Sequence, residues 1–262
     1  MSLVAQAALL VAFPVLAATV GAIVAALRPP GPRVVSGVQH FAAGVVMAAL
    51  VGEIMPELRA EGHLVWSVVG FVAGALMVLA LGAYGRHNEA HARGELPPHN
   101  PRFGSLRRQT VTAATAITLP VGMLGAVAVD LLLDGVLVGL GARLGATQGL
   151  ILAVALTLEI LFLGLSVVSE LTEGGLSKRR AVLVCTGLGL MTAVGAIGAA
   201  LFLGSVSTTV MSAVLAFGAA ALLYLVVEEL LVEAHEERES VALGGMFFLG
   251  FILIYILASL EL

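Results

Sequence analysis

Charge is scarce in this 262-residue chain. Asp, Glu, Lys and Arg make up 11% of it while 60% is hydrophobic, against about 25% charged in a typical soluble domain. A chain so poor in charge cannot cover a water-facing surface, and its composition is that of a polytopic membrane protein. Lysine occurs once, at Lys178, and arginine supplies the other basic residues, a bias expected of a GC-rich bacterial genome. With a net charge of -4 and no basic stripe interleaved with aromatics, nothing points to a nucleic-acid partner. Cysteine also occurs once: Cys185 forms no intrachain disulfide and, in an apolar run, reads as a small buried hydrophobe.

What is abundant is long apolar runs. Eight segments have about the 20 residues that a helix needs to cross the hydrocarbon core. They are Leu3 to Leu27, Val38 to Leu58, Leu64 to Tyr84, Leu119 to Leu144, Leu150 to Leu171, Ala181 to Gly204, Thr208 to Val232 and Val241 to Leu260. The first has no basic residue before it and reads as a retained helix, not a signal peptide. These spans nearly exhaust the chain, so residues 1–262 form one all-α transmembrane domain. Its only long connector is the polar stretch from Gly85 to Arg108.

Lys and Arg gather in cytoplasmic loops. Arg28, Arg33, Arg86, Arg93, Arg102, Arg107, Arg108, Lys178, Arg179, Arg180 and Arg238 fall on one side of an eight-span chain, and Arg59 and Arg143 on the other. The expectation is a bacterial inner-membrane protein with both termini outside and the 85–108 loop in the cytoplasm.

Against this background Asp130 and Asp134 are costly. Four residues apart on the fourth span, they share one helix face near mid-membrane. Glu159 lies midway along the fifth span, and the short fourth-to-fifth link brings it to the same depth. Each carboxylate costs about 2.5 to 3.5 kcal/mol at a bilayer centre on insertion scales, and no basic residue lies at that depth to offset it. The countercharge is therefore expected from a metal ion or protons. Oxygen ligands suit hard divalent cations and are also accepted by zinc. The plainer alternative is three protonated acids hydrogen-bonded between helices.

Further acids flank this depth. Glu53, Glu57 and Glu61 recur along the second span toward its outer end, with Pro56 expected to kink the helix and His63 beyond, as an outer funnel. On the seventh span Glu229 and Glu233 share one face and Glu228 and His235 another, as an inner exit ladder. For each the alternative is a solvated helix end. His40 reads as an interfacial anchor, and His87, His91 and His99 as loop histidines with some capacity for metal capture. Thr115 and Thr118 before Pro120 suggest a polar route at the inner end of the fourth span. Pairs of glycines four apart, Gly70 with Gly74 and Gly135 with Gly139, suit close helix packing. Gly164 is expected to face Gly135 and so hold Glu159 near the aspartates.

At these residues the chain resembles the ZIP family of divalent-metal transporters over nearly its whole length. The resemblance rests on His40-Phe-Ala-Ala-Gly44 with Glu53-Ile-Met-Pro-Glu57, and on Ala216-Phe-Gly-Ala-Ala-Ala-Leu-Leu-Tyr224 running into Glu228-Glu-Leu-Leu-Val-Glu-Ala-His235. The family's metal centre is usually built from His-Asn-x-x-Asp/Glu-Gly and His-x-x-x-Glu-Gly. Here the first motif reads Asp130-Leu-Leu-Leu-Asp134-Gly135 and the second Glu159-Ile-Leu-Phe-Leu163-Gly164. Asp134 matches, Asp130 and Glu159 replace histidines, and Leu131 and Leu163 replace ligands. The sixth-span stretch Thr186 to Met191 has no glutamate of the kind some bacterial members add.

The resemblance implies an inverted repeat of the first and last three spans around the fourth and fifth (3+2+3), in a divergent member with altered metal-site motifs. It implies a carrier, not an enzyme, moving a divalent metal as substrate toward the cytoplasm: zinc, or iron, manganese or cadmium. Asp130, Asp134 and Glu159 would be its central site, Glu53 and Glu57 the approach, and Glu228, Glu229, Glu233 and His235 the release path. The partners are the metal ion and the lipid bilayer, with homodimerisation left open. The alternative is a non-transporting metal or proton sensor on the same fold. An intramembrane aspartic hydrolase is disfavoured because adjacent turns of one helix hold two carboxylates awkwardly for proton sharing.

Overall fold

The computed structural model describes residues 1–92, 121–204, 206–235 and 240–260. Among these every regular element is helical, and eight helices are long and apolar enough to span a bilayer, which makes the chain a multi-pass membrane protein. Helix α1 is Leu3–Leu27. Helix α2 is built of Pro32–Ala49, a π-helical turn Leu50–Ile54, and Met55–Glu61. Then come α3 (Leu64–Ala92), α4 (Val121–Leu144), α5 (Ala146–Glu173) and α6 (Lys178–Leu203). Helix α7 repeats the design of α2, with Thr208–Tyr224, a π-helical turn Leu225–Leu230 and Leu231–Ala234, and α8 is Val241–Leu260.

The ends follow from local chemistry. Arg28-Pro-Pro stops α1 because proline disfavours a helical residue before it, while Pro32 opens α2 at a first-turn position where its missing N–H costs nothing. Gly62 closes α2 with φ 70, a left-handed conformation that glycine adopts without a Cβ clash. Helix α3 continues through Ala92, past Tyr84 where a polar loop was expected, although its apolar spanning part ends at Ala83. The remainder of that loop with His99, and Thr115, Thr118 and Pro120, lie outside the described residues, as do the side chains of Glu61, His87, His91 and Glu233.

The principal pairings are α1 with α5, α6 with α4, α2 with α8, and α7 with α3. Exchanging the first three helices with the last three, and α4 with α5, maps this set onto itself, which is the pairing of a 3+2+3 inverted repeat. Glycines make the closest approaches. Gly21 of α1 lies against the Leu161 carbonyl of α5, and a Cβ at Gly164 would come 2.7 Å from the Ala18 carbonyl oxygen of α1. In the equivalent pair, Gly135 sits on the Thr192 carbonyl and Gly195 on the Leu132 carbonyl. Gly164 and Gly135 therefore do not face each other as expected: each seats its own helix on an outer neighbour. Gly70 and Gly74 pack α3 on Ala213 and Phe217 of α7, so close packing at four-residue glycine spacing holds for both pairs.

The two π-helical turns occupy equivalent places in the repeat, and their sequences match in part: Leu50-Val-Gly-Glu53 and Leu225-Val-Val-Glu228. The first carries Glu53, which is buried, and the second Glu228 and Glu229. Such turns often occur at functional sites in helices.

Candidate functional site

Helices α4 and α5 are joined through Gly145 alone, so they run antiparallel and in contact. One carboxylate oxygen from each of Asp130, Asp134 and Glu159 lies within 4.8 Å of the other two. Asp134 and Glu159 are 2% and 3% exposed. Among the described residues Asp134 Oδ2 and Glu159 Oε2 are sealed from solvent with no hydrogen-bond partner, which counts against the plain alternative of acids satisfied by one another. Glu229 of α7 lines the same cavity as Asp130 and Asp134. No Lys or Arg occurs within the spanning parts of α4, α5 or α7 short of Arg143 at the far end of α4. Buried charge without a partner is strongly disfavoured. The arrangement suits a species that brings positive charge to three converging oxygens.

A cavity of about 350 Å³ adjoins the cluster and is lined by Asp130, Asp134, Glu228 and Glu229. It extends toward the end of the bundle bearing Arg28, Lys178 and Arg179, where Gly82, Met123 and Glu170 complete its wall. In the other direction the bundle is close-packed and apolar: Ile54, Leu140, Leu152, Leu156 and Leu215 are all fully buried in one apolar cluster. The carboxylates thus adjoin a cavity with both acidic and apolar residues in its wall on one side and a close-packed apolar segment on the other.

The remaining predicted residues divide accordingly. Glu228 and Glu229 join the cavity. Both line the same cavity, as do the adjacent pairs Ala221 with Leu222 and Tyr224 with Leu225 on the same helix, and Glu228 is the more exposed of the two acids. Glu53 is buried in the π-helical turn of α2 and Glu57 half-buried in the segment that packs on α7, and neither lines the cavity. His235 is tied to α2: its ring centroid lies 5.0 Å from that of His40, and the Ser36 hydroxyl donates to the Ala234 carbonyl at 2.7 Å. His40 is buried with Nδ1 2.9 Å from the Ser36 carbonyl oxygen, as an anchor should be. His63, in the turn between α2 and α3, bonds Thr208 Oγ1 through Nε2 at 3.2 Å and so links that turn to α7 at the opposite end.

The two positions where the resemblance noted missing ligands are dissimilar. Leu131 packs with Ala18 and Ile160 in a small apolar cluster, whereas Leu163 lines the cavity. Sequence reasoning overlooked Ser166, Glu170 and Tyr224, which also line it. Ser166 and Glu170 lie seven and eleven residues after Glu159, two and three helical turns along its own face, and that spacing was the available signal. Comparison with family models and with curated proteins returns no match, so the function must be argued from this geometry.

Proposed function

We propose that this chain carries a divalent metal cation across the membrane, with Asp130, Asp134 and Glu159 as the site that holds it midway. The observation that carries the reading is the convergence of three buried carboxylates, two with an unsatisfied oxygen, where the neighbouring helix segments offer no basic residue. A cation bound there neutralises the cluster and satisfies the orphaned oxygens together. All-oxygen ligation favours manganese or iron among transition ions, with zinc and cadmium as further substrates. Glu228 and Glu229 continue the acidic lining, giving a released ion successive carboxylate partners toward the Arg-rich end. By the distribution of basic residues that end is cytoplasmic, in a bacterial inner membrane with both termini outside. A cavity with acidic residues in its wall on one side and an apolar plug on the other is what one state of an alternating-access carrier requires, and the inverted repeat supplies its mirror state. The resemblance to the ZIP family points the same way.

The test is metal uptake into proteoliposomes loaded with a fluorescent chelator. Wild-type protein should carry manganese or zinc, and Asp134→Asn and Glu159→Gln should each reduce uptake on the order of tenfold or more, since a ligating charge is lost. Uptake indifferent to both substitutions would overturn the site.

A second reading is supported by Leu131 and Leu163: with ligands absent at both, the chain is a metal sensor that binds without turnover. Equilibrium binding by wild type with no flux in the same vesicles favours it over the carrier.

A further inference from the structure

Where α1 ends and α6 begins, the two helices run antiparallel and leave a trough of about 430 Å³ between them. Its floor is apolar, formed by Ile23, Leu27, Val182 and Leu183, and its rim at the helix ends is Lys178 and Arg179. Leu27 and Leu183 are 78% and 71% exposed, so the apolar floor faces outward to the bilayer, away from the carboxylate cluster. Neither Lys178 nor Arg179 makes an ion pair or side-chain hydrogen bond among the described residues. Both belong to the first turn of α6, whose N-cap Ser177 makes no side-chain capping bond. The first N–H groups of that turn therefore have no partner within the helix.

We propose that this trough seats one phospholipid with an anionic headgroup. The phosphate lies against Lys178, Arg179 and the first turn of α6, and an acyl chain lies along Ile23, Val182 and Leu183. The occupant follows from the combination of charge and shape. Unpaired cations at a membrane-facing helix end attract an anion, and the apolar trough running from them into the bilayer requires that anion to carry a hydrocarbon tail. A free phosphate would use the rim and leave the trough unfilled. The site lies between an outer pair of helices that also position α5 and α4, so an occupied trough would brace the junction of the two repeats.

Native mass spectrometry of the full chain, released from nanodiscs containing equal phosphatidylglycerol and phosphatidylcholine, tests this. Wild type should retain one phosphatidylglycerol in preference to phosphatidylcholine. The double variant Lys178→Gln/Arg179→Gln should lose that preference on the order of tenfold, as expected for two basic residues near a lipid surface. Val182→Trp fills the trough without altering charge and should lose the bound lipid too. Leu183→Trp, at a position too exposed to disturb the core, provides the same test should Val182→Trp not fold. Equal retention of both lipids by wild type would overturn the proposal, as would full retention by a trough-filling variant, or displacement of the lipid by millimolar inorganic phosphate. None of these readouts depends on metal transport.

Discussion

At the scale of the residue, Asp134 and Glu159 stand out because each has a buried oxygen with no partner among the described residues. Such groups destabilise a fold until something satisfies them. Metal binding should therefore appear in stability. Added manganese or zinc should raise the wild-type melting temperature in detergent, by about 2.7 kcal/mol of stabilisation at a hundredfold excess over Kd. The double variant Asp134→Asn/Glu159→Gln should melt no lower than wild type without metal and show no rise with it. A metal-induced rise of equal size in that variant would refute ligation by these carboxylates. Gly135 acts differently, through space alone. Any side chain there meets the Thr192 backbone, and a backbone cannot step aside as a rotamer can, so Gly135→Leu should destabilise by about 3 kcal/mol or more. Thermal unfolding measures that cost. At Gly125, where no neighbour would meet a Cβ, the corresponding Gly125→Ala should be tolerated.

At the scale of the element, the two π-helical turns matter most. They lie at equivalent points of α2 and α7, and a helix gains such a turn by accommodating one additional residue in its hydrogen-bond ladder. That residue changes the rotation of everything beyond it. In α7 the turn carries Glu228 and Glu229, which both line the cavity. Deleting Val227, which is exposed, should restore a regular ladder and withdraw one of the two acids from the wall. The expected outcome is metal uptake strongly reduced while binding at the Asp130, Asp134 and Glu159 cluster persists by calorimetry. Loss of binding together with uptake would show that the turn instead holds the cluster together.

At the scale of the whole molecule, the apolar plug and the cavity leave Asp130 and Asp134 approachable from one end. In a Cys185→Ser background, Ser166→Cys should react with a membrane-impermeant thiol reagent added at the Arg-rich side only. Leu215→Cys, in the plug, should be protected from either side until metal turnover exposes it. Labelling of Leu215→Cys at the rate of Ser166→Cys in the absence of metal would contradict a one-sided cavity.

The eight helices were legible in the chain because crossing a bilayer is a local requirement: each segment must be long and apolar by itself. The union of Asp130, Asp134 and Glu159 was legible for a related reason, since a four-residue spacing on one helix and a one-residue link to the next leave little freedom. Which way each helix turns about its own axis was decided only in three dimensions. Gly164 was expected to meet Gly135, yet it meets Ala18, because the choice among many small residues depends on which backbones can approach together and not on any spacing within one segment. The same applies to the cavity wall that Glu228 and Glu229 share with residues of α3, α4 and α5, and to the plug, whose Ile54, Leu152 and Leu215 come from three separate helices. Sequence determined that charge is buried here and where along each helix; tertiary packing determined which charges meet, and from which side they are reached.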